Sequence, residues 1–346
     1  MRSAMVVVTA LTLAVLAFDP APAPAEAGQG ATVQSGKVKV PDGELYYEMQ
    51  GSGPTVVLLH GGLLDGRMWD DQFGVLAGRF RVVRYDARGH GRSSRITGDY
   101  CNYRDLHALL TALGIRKTTL VGLSLGGRTA IDFALVHPEM VEALVAVSTG
   151  ISGWDFTKDT VLGEHQVGLQ KAVEAKDLDL CVEWFQRSWT DGPKRKPADV
   201  DPAVRERVRS MARANIGGNS RGTVEEVNAV PRVGEIRVPM LAVLGDLDMA
   251  SIHGIFDLIT TKVPGVRKAV IAGAAHMVNM EKPTEFNRVL LNFLTTSVGT
   301  TSTSMPVDPT AEREKIAQVV TSVGVVEKRD GRWVVVQQHF SFASDR

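Results

Sequence analysis

Ser124, His276 and Asp248 are the residues of this chain whose types and settings suit acyl transfer. Ser124 stands in Gly122-Leu123-Ser124-Leu125-Gly126-Gly127. The aliphatic run Thr118 to Val121 before it reads as a strand, and Arg128 to Val136 after it has apolar residues at helical spacing. A Gly-x-Ser-x-Gly between a strand and a helix places the hydroxyl on a tight turn, with the next backbone N–H aimed at a developing oxyanion. A serine hydroxyl is a weak nucleophile and needs a base, which in turn needs an orienting partner.

Eight histidines are available as the base. His276 ends the run Ala269-Val270-Ile271-Ala272-Gly273-Ala274-Ala275, a strand followed by a small-residue loop that leaves an imidazole free to turn. His60 and His90 lie in glycine-rich turns and His137 ends a helix, so structural roles suit them better. For the acid, the apolar strand Pro239 to Gly245 is followed by Asp246-Leu247-Asp248. Both aspartates are candidates. The spacing Gly245-x-x-Asp248 favours Asp248, leaving Asp246 as a turn residue. A second oxyanion donor besides the Leu125 N–H is expected at Gly62, where the strand Val56 to Leu59 runs into His60-Gly61-Gly62.

These motifs resemble those of the α/β-hydrolase family that includes 3-oxoadipate enol-lactonases, bacterial serine esterases and cofactor-free haloperoxidases. The resemblance extends from about Val38 to about Thr295 and includes Trp69 and Tyr85-Asp86-Ala87-Arg88-Gly89-His90-Gly91-Arg92-Ser93. It implies an α/β fold whose mainly parallel, eight-stranded sheet is flanked by helices, with an inserted helical cap. It also implies a serine hydrolase of carboxylic esters or lactones, with no metal or organic cofactor. Relatives with an aspartate nucleophile are excluded by Ser124. The same triad also serves perhydrolase or haloperoxidase chemistry and carbon–carbon bond hydrolysis, and some family members act as ligand-binding receptors.

The elements that must position these residues follow from the apolar pattern. Val38–Val40 and Leu45–Met49 read as a hairpin turning at Pro41-Asp42-Gly43. Further strands are expected at 56–59, 81–85, 120–123, 144–147, 241–244 and 268–271, alternating with helices. Residues 36–150 and 236–297 then form the hydrolase core, and 151–235, where the alternation stops, form the cap. Trp154 and Phe156, near the start of the cap, are expected on the pocket wall with Leu63 and Met277, whereas Trp184 and Trp189 are expected in the cap's own core. Residues 298–346 read as a linker and a C-terminal β-hairpin with Asp330-Gly331 at its turn. The ending 333–340 is similar to the last hairpin of ketosteroid-isomerase-like cone folds, without most of the cone. Packing on the hydrolase core, pairing into a homo-oligomer and a degenerate remnant are three equal expectations for it.

With 39 basic and 39 acidic residues and 44% hydrophobic residues, the chain has ample core and no net charge to recruit nucleic acid or an anionic membrane. The apolar run Ala4 to Phe18 behind Met1-Arg2, followed by Pro-Ala repeats ending at Ala27, has the three regions of a signal peptide over 1–27. The run is too short for a stable membrane span. It implies a secreted or periplasmic enzyme; a true start nearer Gly30 implies a cytoplasmic one. Cys101 and Cys181 are expected as two unpaired thiols.

Overall fold

The computed structural model describes residues 32–216, 223–297, 325–329 and 332–337. All eight expected strands are present and form one sheet. β1 (Gln34–Val40) turns at Asp42, whose φ is 59°, into β2 (Gly43–Gln50). These two are antiparallel, and β2 pairs antiparallel with β4 (Arg81–Tyr85). The rest is parallel: β3 (Thr55–Leu59), β5 (Thr118–Leu123), β6 (Val141–Val147), β7 (Met240–Gly245) and β8 (Arg267–Ile271). The order is β1-β2-β4-β3-β5-β6-β7-β8. The chain leaves β3 toward β4 on one side and later places β5 on the other. In an open parallel sheet that reversal opens a crevice at the carboxyl ends of the two strands.

Every residue of β5 and β7 is buried, which explains why they carry no charge and are mostly apolar: helices cover both faces of a parallel sheet. Successive side chains alternate between two cores. Val57, Leu59, Leu120 and Leu144 pack with α2 (Asn102–Ala112), α3 (Leu125–Val136) and α7 (Ala250–Lys262). Val56, Leu58, Val121 and Val145 pack with α1 (Asp70–Ala77) and α9 (Pro283–Ser297). β8 closes one edge of the sheet with exposed Arg267 and Lys268, charges that discourage edge-to-edge pairing.

Between β6 and β7 the described residues include three further helices, α4 (Thr160–Glu174), α5 (Leu178–Gln186) and α6 (Pro202–Asn215). Each starts at an aspartate, Asp159, Asp177 or Asp201, whose carboxylate accepts a first-turn backbone N–H. A π-turn, Arg187–Asp191, follows α5. Arg205 on α6 ties these pieces together, bonding both oxygens of Asp191 at 2.8 and 2.7 Å and Glu183 at 2.8 Å. Arg207 pairs with Asp71 on α1 at 2.7 Å, and Arg195 with Glu281 on the short α8 (Val278–Glu281) at 2.6 Å. Among the described residues, no helix is long and apolar enough to cross a membrane. Cys101 and Cys181 are both buried free thiols.

A second compact unit begins at Gly299 and is described through β9 (Val325–Arg329) and β10 (Arg332–Gln337), an antiparallel pair. The leader at 1–27, the linker from 298 to the hairpin and the turn at Asp330-Gly331 lie outside the described residues.

Candidate active site

Ser124 sits between the end of β5 and the start of α3 with φ 54° and ψ −112°, in the left-handed region that a serine rarely occupies. The surroundings enforce that strain. A Cβ on Gly126 would run into the Leu59 carbonyl, and one on Gly122 into the Gly126 carbonyl, so only glycines let the turn fold so tightly. The Ser124 carbonyl accepts the N–H groups of Arg128 at 2.9 Å and Gly150 at 3.1 Å, which pins the turn to α3 and to the loop after β6. Strain held in this way is typical of positions with a functional role.

The end of β7 and the loop after β8 bring Asp248 and His276 together. His276 Nδ1 lies 2.9 and 3.1 Å from the two Asp248 carboxylate oxygens. His276 is 1% exposed and Asp248 3% exposed, so water does not compete for the pair. The Met249 N–H donates to Asp248 Oδ1 at 2.8 Å and fixes the carboxylate. A carboxylate at Nδ1 selects the tautomer that carries its proton there, which leaves Nε2 with its lone pair. Among the described residues Nε2 has no hydrogen-bond partner. Asp246 takes a different task, accepting the Gly273 N–H at 2.7 Å and so bracing one loop against the other.

Ser124 and His276 line one cavity of about 290 Å³. Gly62 and Leu125 line it too, from the ends of β3 and β5 across the crevice that the strand order opens. The neighbouring Leu63 N–H is already engaged, donating to His90 Nε2 at 3.2 Å. His90 Nδ1 lies 3.0 Å from the Arg88 carbonyl. His60 is tied in the same way, with Nδ1 2.8 Å from the Gly61 carbonyl and Nε2 accepting the Ala87 N–H at 2.8 Å. Burial holds both imidazoles neutral: it lowers the pKa of His60, and it pushes that of His90 down to about 4. The two histidines set aside as structural are therefore the props of the loop that carries Gly62. Arg88 makes a buried bidentate pair with Asp105 at 2.7 and 2.8 Å.

Phe156 and Met277 line the cavity as expected. Leu63 and Trp154 do not. Leu63 belongs to the propped loop, with φ 57°, and Trp154 packs partly buried against the core on the α2, α3 and α7 side. Trp189 corrects the reading in the other direction. Instead of serving only the cap's interior it lines the cavity, its ring centroid 4.6 Å from that of His276 at a 45° tilt. Trp184 does stay among the cap helices, against His165 at 5.6 Å. Leu123, Leu162, Phe185 and Ile252 extend the apolar wall, and Arg128 and Gln166 join Ser124 and His276 as its polar side chains. Leu162, Gln166, Phe185 and Trp189 had no local signal, because their place depends on how α4, α5 and the π-turn fold back over the sheet. Among the described residues, no group of three His, Cys, Asp or Glu side chains is placed to hold a metal ion.

A family model described as alpha/beta hydrolase fold matches residues 54–283. A Synechocystis sp. protein provisionally named a non-heme chloroperoxidase is 29% identical over 273 residues, covering 72% of this chain and 95% of the relative. The pimeloyl-[acyl-carrier protein] methyl ester esterase of Aliivibrio salmonicida is 26% identical over 258 residues, covering 72% of this chain and 95% of that enzyme. Among solved structures, a hydrolase from Pseudomonas aeruginosa superposes with a TM-score of 0.64 at 29% identity, covering 75% of this chain and 98% of its own.

Proposed function

The chain belongs to the α/β-hydrolase fold family, and on that premise we propose that it is a serine hydrolase of carboxylic esters or lactones acting through an acyl-enzyme. The observation that carries the reading is the buried His276–Asp248 pair. His276, whose Nε2 has no hydrogen-bond partner among the described residues, lines the same cavity as a serine held on a strained turn.

In this reading Nε2 takes the Ser124 proton as Oγ attacks the carbonyl carbon, and Asp248 stabilises the imidazolium that forms. The oxyanion then sits against the N–H groups of Gly62 and Leu125. Two such donors fixed in a dry site account for a large part of the rate, since losing one costs roughly 100- to 1000-fold. His276 returns its proton to the leaving alcohol, or to the alkoxide of an opened lactone. Water, deprotonated by the same nitrogen, then releases the acid. Leu123, Phe156, Leu162, Phe185, Trp189 and Ile252 give the cavity an apolar wall, and its volume suits a small acyl group.

Hydrolysis of p-nitrophenyl esters of increasing chain length tests the reading. Turnover that is lost in Ser124→Ala and is greatest for short chains supports it. A folded enzyme that is inert to every ester and lactone offered contradicts it.

A second reading on the same residues draws on the likeness to the Synechocystis protein: hydrogen peroxide replaces water in attacking the acyl-enzyme and releases a peracid. Peracid formation from acetate ester and peroxide, dependent on Ser124, is its test. Export through residues 1–27 and association through the C-terminal hairpin belong to the proposal too. N-terminal sequencing of the mature protein and light scattering with and without residues 305–346 address them.

A further inference from the structure

Resting on the serine-hydrolase reading, we propose that Arg195 and Glu281 are a positioning pair that sets the catalytic base from the cap. Glu281 is the point of contact between two parts of the site. Its Oε1 accepts the Ala275 N–H at 2.9 Å, one residue before His276, while its Oε2 accepts from Arg195 Nη1 at 2.6 Å. Arg195 in turn donates from Nε to the Asp191 carbonyl and from Nη2 to the Thr190 carbonyl, both at 2.8 Å. Those carbonyls belong to the π-turn that carries Trp189, whose ring lies over His276.

The guanidinium therefore connects the backbone behind Trp189 to the backbone before His276 through one carboxylate. Both side chains are withdrawn from water, at 12% and 5% exposure, which favours a single fixed geometry over an exchanging surface pair. The next residue of the π-turn segment adds a steric contact. Gly192, with φ +75°, lies so close to the Leu247 carbonyl and the Ala275 side chain that a Cβ there would collide with Leu247 and crowd Ala275. The segment thus touches the neighbour of Asp248 and the neighbour of His276 at once. The cap does more than cover the pocket: it helps to hold the base in register with its acid.

A comparison of two cap anchors tests this. Arg207 also fastens α6 to the core, through Asp71 at 2.7 Å, yet makes none of these contacts with the His276 loop. Arg195→Met is expected to lower kcat about 10- to 100-fold with KM changed less than about threefold, the effect of displacing a catalytic group by a fraction of an ångström to an ångström. Arg195→Lys, which keeps the charge opposite Glu281, is expected to recover part of that loss. Glu281→Gln keeps an acceptor for the Ala275 N–H and weakens only the Arg195 side, so it is expected to resemble Arg195→Met. Arg207→Met is expected to retain kcat within about twofold. Thermal melts of each variant separate these effects from unfolding, and Glu281→Gln carries the test where Arg195→Met does not fold.

Equal losses of kcat in the Arg195 and Arg207 variants, or a change confined to KM in the Arg195 variant, would overturn the proposal. The serine-hydrolase reading fails differently, through a wild-type protein with no turnover that depends on Ser124.

Discussion

Replacing Asp248 by Asn should cost about 10⁴-fold in kcat, whereas the same change at Asp246, two residues away, should cost about twofold or less. The asymmetry follows from what each carboxylate touches. Asp248 Oδ1 already accepts the Met249 N–H at 2.8 Å, so the carbonyl of an asparagine would keep that place and turn its NH₂ toward His276 Nδ1. An NH₂ donates, so Nδ1 would have to accept and the ring proton would move to Nε2. Nε2, the nitrogen proposed to take the Ser124 proton, would then lack the lone pair it needs. Such a tautomer reversal in a serine triad costs about 10⁴ in rate, or about 5.5 kcal/mol of barrier. Burial shields the pair from solvent, at 1% and 3% exposure. Asp246 accepts one backbone N–H at 2.7 Å at an exposed position, and an asparagine carbonyl accepts it equally well. The assay is steady-state hydrolysis of a short p-nitrophenyl ester by both variants, with melting temperatures to show that both are folded. Comparable losses in the two variants, or a larger one in Asp246→Asn, would refute the reasoning.

Three other perturbations test separate parts of the account. In the unfolded chain a histidine takes its proton near pH 6.5, but folded His90 stays neutral until about pH 4. Between those values the unfolded state binds more protons. Stability should therefore be full above about pH 6.5, fall as pH drops through the window and level off below pH 4, with up to about 3 kcal/mol at stake. Urea denaturation across pH 4–7 checks this, and a His90→Gln variant should show a shallower slope. Trp189→Ala should reduce kcat/KM roughly tenfold by uncovering His276, while Trp154→Ala should destabilise the fold by about 3 kcal/mol and leave kcat/KM nearly unchanged, as read from kinetics and melts together. Arg88→Met should lower stability by about 3–5 kcal/mol by leaving Asp105 charged and unpaired in the core, measured by chemical denaturation, with activity per folded molecule retained.

The sheet could be read from the sequence because most of its parallel strands hold a short, β-branched and aliphatic run that local composition betrays. Residues 56–59 and 120–123 were delimited to within two residues at each end. α3 starts three residues before its expected place, since Gly126 and Gly127 are poor helix markers that the turn at Ser124 nevertheless forces into the first turn. Asp248 and His276 could be paired on paper because each follows a strand end, and adjacent parallel strands bring their carboxyl ends together. The cap was not legible in the same way. Trp154 and Trp189 are both tryptophans in helical or turn-rich surroundings, and nothing within a few residues of either says which one faces the cavity. That choice is made by contacts far apart in sequence, such as Arg195 with Glu281 and Arg205 with Asp191. The role of His60 and His90 as props for the loop that carries Gly62 was equally hidden, because it depends on β3 and β4 being neighbours with their loops side by side.

The central claim is that Ser124 is the nucleophile, and the most direct test is active-site labelling with a fluorophosphonate followed by intact-mass and peptide analysis. The account predicts one phosphonyl group per chain, located on the peptide that contains Ser124. It should be absent in Ser124→Ala and form much more slowly in Asp248→Asn and His276→Ala. A label found on another residue, or labelling that persists unchanged in Ser124→Ala, would contradict it.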